Sequence, residues 1–334
     1  MARREHTQHN QIDKRKHASA SAGRKEKPTE AGRRSDQVRA KRDAVPKRAP
    51  MTFTASGTAA RDWALPVAVT VETEAQLAEV LKHDAVALVY LDEACFTDFA
   101  ALIRRVHAAG KQAGLRLRRI ERDFDASGRK AENSAELLSG LWKAECLPDV
   151  LLVRNLDEAM LLEDFFAAHP ELKARIRRNF DYTVYGYNQE AIQALVSLGA
   201  DGLTYPIELT YHECRKLKSE LPFELMVYGH LPMMVSANCI QRTSARCDHG
   251  NRILQLRDRM GKDMPVRCYC TYCYNQIFNA EPLVLYDLPD EVRALQPQCL
   301  RYDFSVEPAA VVRQVLDGAV PRSMTRGHFR HGIE

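Results

Sequence analysis

Five of the nine cysteines fall in one stretch, at Cys239, Cys247, Cys268, Cys270 and Cys273. Cys270 and Cys273 are spaced C-x2-C, which lets one short loop aim two thiolates at a single metal. Cys239 and Cys247, spaced C-x7-C, complete a four-thiolate set, with Cys268 as a substitute ligand. Four thiolates suit tetrahedral zinc or an iron–sulfur cluster. On spacing alone zinc is the safer reading, although the second knuckle of a zinc ribbon is absent. Unligated loop thiols are the plainer alternative, and clustering of this density argues against it. Cys95, Cys146, Cys214 and Cys299 read as buried structural thiols. The N-terminus lacks the apolar core of a secretory signal, so the expected compartment is the cytoplasm, where thiols stay reduced.

Other reactive constellations are missing from the sequence. It holds no GxSxG and no HExxH, and no GxGxxG or GxxxxGK[ST] loop follows a strand-like run. Serine hydrolysis, the usual zinc-peptidase route and Rossmann or P-loop nucleotide binding are therefore unsupported. Asp258 and Asp263 flank Arg259-Met260-Gly261-Lys262 and read as a turn between two strands, not as a carboxylate pair.

The thiols must be positioned by a βα rhythm that sets in at Pro66. Strands are expected at Val67–Val71, Val86–Leu91, Leu115–Ile120, Val150–Val153, around Ile176, at Gly202–Tyr205 and at Phe223–Tyr228. Helical spacing fills the intervals, including Thr97–Ala109, Leu156–Ala168, Gln189–Leu198 and Tyr211–Ser219. The last strand is expected to end at Gly229 and Pro232. Such alternation implies a parallel sheet covered by helices, and seven or eight units fit a barrel better than an open sheet. The predicted class is α/β: a TIM-barrel-like (βα) repeat domain with a C-terminal Cys-rich β extension, preceded by a disordered basic tail. In a barrel, chemistry collects at the C-terminal strand ends. Those ends carry Asp92, Arg122, Asn155, Tyr185, Asn188, Tyr205, Glu208, Tyr228 and His230, several of which suit an anionic or hydroxylated ligand. Helix capping is the plain role for the Asn and Glu members.

Charge divides the chain. Residues 1–50 hold 15 Lys or Arg against 6 Asp or Glu, a net +9, so the remainder sums to −5 against the overall +4. That segment has no Leu, Phe, Tyr, Trp or Cys and is expected to be disordered, as a linker or as a basic arm that touches RNA. No apolar run approaches the roughly 20 residues that span a bilayer.

The stretches FELMVYGHLPMMVSANC, LQLRDRMGKDMPV, CTYCYNQIFNAEPLVL and RYDFSVEP resemble peptidase family U32, the collagenase-like proteins, over roughly 180–310. The likeness is to the C-terminal barrel segment of the long members. It implies a [4Fe–4S] cluster held by Cys239, Cys247, Cys270 and Cys273. It also implies support for oxygen-independent hydroxylation of RNA or of a small aromatic substrate, with Tyr205, Glu208 and His230 near that substrate. An upstream family domain supplied in trans is a further implied partner. The family name adds a peptidase alternative, and a non-catalytic metal-stabilised module that binds RNA or a partner is a third. The expected domains are a tail at 1–50, a barrel at 51–230, a Cys-rich region at 231–320 that closes the barrel, and a flexible C-terminus at 321–334.

Overall fold

Alternating apolar residues give each strand one face that packs on helices, and the chain uses that face to close a ring. In the computed structural model, which describes residues 50–332 apart from 56, 245, 246 and 248, seven barrel strands follow the two-residue strand Phe53–Thr54. They are β1 (Val67–Val71), β2 (Val86–Asp92), β3 (Gln112–Arg116), β4 (Val150–Val153), β5 (Arg177–Phe180), β6 (Gly202–Thr204) and β7 (Phe223–Ser236). Three antiparallel strands follow, β8 (Ile253–Arg257), β9 (Asp263–Tyr269) and β10 (Tyr274–Val284), and then β11 (Cys299–Asp303). Each of β1–β6 pairs in parallel with the next, and β11 pairs in parallel with both β7 and β1. The result is a closed eight-stranded parallel barrel. The tail expected at 1–50 lies, but for residue 50, outside the described residues.

Helices ring this barrel, among them α1 (Glu74–Val80), α2 (Phe99–Ala108), α3 (Ser134–Lys143), α4 (Leu156–Ala168) and α5 (Gln189–Ser197). Their starts are fixed by local chemistry: Thr73, Asp98, Asn133, Asn155 and Asn188 each accept a backbone N–H of the first turn. Asn155 and Asn188 are thus helix caps. The main core lies between strands and helices and includes Val69, Leu91, Leu115, Leu151, Leu162 and Val312. Among the described residues no helix is long and apolar enough to cross a membrane.

Four expectations are corrected. The third strand runs over Gln112–Arg116, not Leu115–Ile120. Gly114 hides the alternation there, and it is glycine because a Cβ would lie 2.4 Å from the Tyr90 ring. The helix expected over Tyr211–Ser219 spans only Tyr211–Cys214, after which Lys216 and Leu217 bond three residues back as turns. The seventh strand does not stop at Pro232 but continues to Ser236. Pro232 sits at a register shift of the β7–β10 ladder, where a missing N–H is tolerated. Finally, the eighth barrel strand and the helix Ala309–Leu316 lie beyond 230, so the barrel and the Cys-rich region interleave in sequence.

The C-terminal segment, expected to be flexible from 321, is packed through 332. Val320–Pro321 pairs with Phe53–Thr54, Phe329 is buried, and Arg330 bonds to Glu291 at 2.9 Å.

Candidate functional site at the barrel mouth

The inward face of the strands is not the Val/Ile/Leu filling usual in such barrels. Thr70, Glu72, Tyr90, Asp92, Arg116, Arg154, Asp181, Glu224, Arg301 and Asp303 are all buried. Arg301 reaches Asp181 at 2.7 Å, Glu224 at 2.6 Å and Asp303 at 2.9 Å. Arg116 lies 3.1 Å from Glu72 and 3.4 Å from Asp92, and Arg154 stands 3.8 Å from Asp92 and 3.5 Å from Asp181. From outside the barrel, Arg267 of β9 adds a 3.1 Å pair to Glu72, and the Tyr269 hydroxyl donates to the same carboxylate. Cys95 belongs to this network too, with its sulfur 3.6 Å from both Glu72 and Arg267.

Such a network divides its members electrostatically. Burial opposes ionisation of Asp181, but Arg301, Arg154 and Arg116 outweigh it and hold the carboxyl below its usual range. Burial wins at Glu224, whose pKa rises to about 7 despite Arg301. A carboxyl raised in the folded state stabilises most below its ordinary value and loses that contribution as pH climbs toward the raised one. Between about pH 4.5 and pH 7, Glu224 should therefore remove about 3 kcal/mol of stability. Urea unfolding across that range should give a shallower decline for E224Q; equal slopes would rule this account out.

At the C-terminal end of β4–β7 the mouth opens into a pocket of about 320 Å³. Arg119, Arg154, Tyr185, Glu208, Gln276 and the methionines Met233 and Met234 line it. Two buried atoms here, Arg154 Nη2 and Gln276 Oε1, have no hydrogen-bond partner, which is costly unless a ligand completes them. Arg119 donates to the Arg154 carbonyl at 3.2 Å and to the Tyr185 hydroxyl at 3.4 Å. Tyr185, Met233 and Met234 are 51%, 59% and 57% exposed, an apolar wall open to solvent. Glu208 stands near the Tyr187 phenol and adds to the burial that holds the phenol proton on.

Of the strand-end residues singled out from sequence, Tyr185 and Glu208 line this pocket; Tyr205 and His230 lie elsewhere. Tyr205 stacks on Phe223 at 4.3 Å and donates to the Leu295 carbonyl. His230 is buried, with Nδ1 2.8 Å from the Asn279 carbonyl and Nε2 3.7 Å from Glu307.

The β7 extension carries the thiols on the same rim. β7, β10, β9 and β8 form an antiparallel sheet in that order. Tyr269 and Tyr274 are paired, so the C-x2-C sequence is the β9–β10 turn, with Cys273 at φ 54°. Burial first, and then Cys268, Cys247, Cys239 and Cys273 as neighbours, together push the Cys270 thiol up to about 12. Burial likewise takes Cys268 to about 11, with Cys239 and Cys247 adding to it. All five thiols therefore gather around Cys270. Among the described residues, no three His, Cys, Asp or Glu side chains already stand in a metal-holding group. The donor set is all sulfur and fits zinc or an iron–sulfur cluster in type; loading it requires the thiols to lose protons and turn inward.

No family model matches the chain, and no curated protein does. Among solved structures, the U32 peptidase Mk0906 is similar at a TM-score of 0.41 and 9% identity, covering 78% of this chain and 98% of that one. The 3-dehydroquinate dehydratase from Enterococcus faecalis is similar at 0.36 and 17% identity, covering 51% and 80%. A glycerol uptake operon antiterminator regulatory protein from Listeria monocytogenes is similar at 0.31 and 14%, covering 49% and 80%. The barrel stands on its strand pairing, not on these likenesses.

Proposed function

We propose that this chain is a U32-type metalloprotein. In this reading Cys239, Cys247, Cys270 and Cys273 hold a [4Fe–4S] cluster, with zinc as the alternative. Next to it, the mouth pocket binds RNA or a small aromatic substrate for oxygen-independent hydroxylation. The observation that supports it is the gathering of four further thiols around Cys270, on the same sheet extension that supplies Met233, Met234 and Gln276 to the pocket. The cluster, when bound, would supply one-electron chemistry at a potential set by burial and hydrogen bonds to sulfur.

The chain's own residues would do the rest. Arg154 and Arg119 take an anionic group, and Gln276 Oε1 accepts a hydrogen bond from a substrate donor. Met233, Met234 and Tyr185 cover a flat apolar part and exclude water. Glu208, in the pocket lining, offers a carboxylate for a substrate hydroxyl. A peptidase reading gains no support from this geometry, because the pocket wall contributes no Ser or Cys nucleophile.

Anaerobic purification followed by absorption spectra and metal and sulfide analysis tests the proposal. The expected product is brown and carries about four iron and four sulfide per chain. A colourless protein with one zinc per chain would replace the cluster by the alternative, and one with neither metal would overturn both.

A further inference from the structure

After β3 the chain makes a long connection, residues 117–133, before α3 begins. Asp125 folds it back on itself by accepting from the Ser127 and Arg129 backbone, and Phe124 bridges to Lys130. Its tip reaches the thiol-bearing turn: the Ala126 N–H donates to the Thr271 carbonyl at 2.7 Å. Its base does so as well, since the Arg118 guanidinium lies 4.5 Å over the Tyr272 ring.

Arg118 is only 1% exposed. It pairs with Glu93 and with Glu121, each at 2.9 Å, and donates to the Glu132 carbonyl. Glu158, in the first turn of α4, is 0% exposed and meets no hydrogen-bond donor at either carboxyl oxygen. Its charged neighbours are the Glu93 and Glu121 carboxyls and the Arg118 guanidinium, so an ionised Glu158 would sit buried with no hydrogen bond to compensate it. Three carboxylates from three elements thus face one guanidinium, with Tyr272 as the titratable group on the turn and Asp92 behind Glu93.

We propose that Arg118, Glu93, Glu121 and Glu158 form a proton-dependent latch that fastens residues 117–133 onto the C-x2-C turn and so controls how freely Cys270 and Cys273 move. Its importance for metal loading rests on the function proposed above; the latch itself does not. Burial, with Glu93 and Glu121 adding, raises Glu158 well above the carboxylate range, and burial takes Glu93 to about 7. The closed state therefore holds protons that an open, hydrated state releases. Closure is favoured at low pH, and opening grows as pH rises through neutrality. Without the Glu158 proton, three negative charges share one buried positive one.

The test uses metal-free full-length protein, so it is independent of whether a cluster binds. Hydrogen–deuterium exchange, corrected for intrinsic rates, is followed in peptides covering 117–133 and 268–275. From about pH 6 to pH 8, wild-type protection in both should fall more than about tenfold, and in E158Q the fall should be at least about threefold smaller. Equal falls, or wild-type protection that ignores pH, would overturn the latch. Tyr272→Leu removes the ring from Arg118 and leaves the carboxylates intact. It should weaken protection of 268–275 at the lower pH, and unchanged protection there would also count against the proposal.

Discussion

Arg301→Ala should cost the folded protein about 3–5 kcal/mol, because it strands Asp181, Glu224 and Asp303 in the barrel interior without their shared cation. The guanidinium is fully buried and uses Nε, Nη1 and Nη2 on three different carboxylates. Lysine keeps the charge but not the fork, so Arg301→Lys should recover only part of the loss. Adding Asp303→Asn to Arg301→Ala removes one of the stranded carboxyl groups and should restore about 1–2 kcal/mol, a coupling expected of residues in one network. Urea unfolding of the four proteins near neutral pH supplies the comparison. A loss below about 1 kcal/mol for Arg301→Ala would mean that the network is hydrated and that the barrel interior is not the rigid polar core described above.

The second large effect concerns the thiols. Cys270→Ala should abolish metal binding, because Cys270 is the sulfur to which the other four are electrostatic neighbours. Cys239→Ala should do the same or leave a labile centre, whereas Cys299→Ala, on the barrel strand β11, should retain the full metal content. Cys247→Ala and Cys268→Ala together decide which of the two completes the set: one should lose the metal and the other keep it. Iron retained at the wild-type level in both Cys239→Ala and Cys270→Ala would refute this ligand set even for a genuine iron protein. The substitutions at Cys239, Cys247, Cys268 and Cys270 should leave the barrel folded, since these thiols lie on the antiparallel extension and its loops and not in the main core.

Most of the barrel was legible from pattern. Runs such as VALVYL and VLLV, spaced by helices with Asn or Thr caps, carry the βα alternation in their own residues. The eighth strand was harder to see. Cys299–Asp303 reads CLRYD, and its inward residues Arg301 and Asp303 break the apolar signature because they serve the ion network. The same cause hid much of the site. Arg116, Arg154 and Glu72 are charged residues at or just past strand ends, and a single sequence gives no sign that they face one another across a closed ring. Their one available signal was the inward phase of the alternation, applied only after closure is assumed. The thiols were legible because C-x2-C is local, whereas the orphaned Arg154 and Gln276 meet only in the fold. His230 and Tyr205 stand after or at strand ends in the sequence, and in the fold the His230 imidazole meets the Asn279 carbonyl on β10 and the Tyr205 hydroxyl donates to the Leu295 carbonyl.

Between the seventh and eighth barrel strands the chain makes a long excursion, from the end of the barrel portion of β7 through the thiol sheet and back to Cys299. On the ribosome, the first seven strands emerge as an open sheet with two bare edges, and β11 is the piece that seals them. Sealing needs a contact between residues near 67 and residues near 300, so ring closure must await the thiol-bearing segment and nearly the whole chain. A nascent chain stalled before residue 299 should therefore expose β1 and β7 to pairing with other chains.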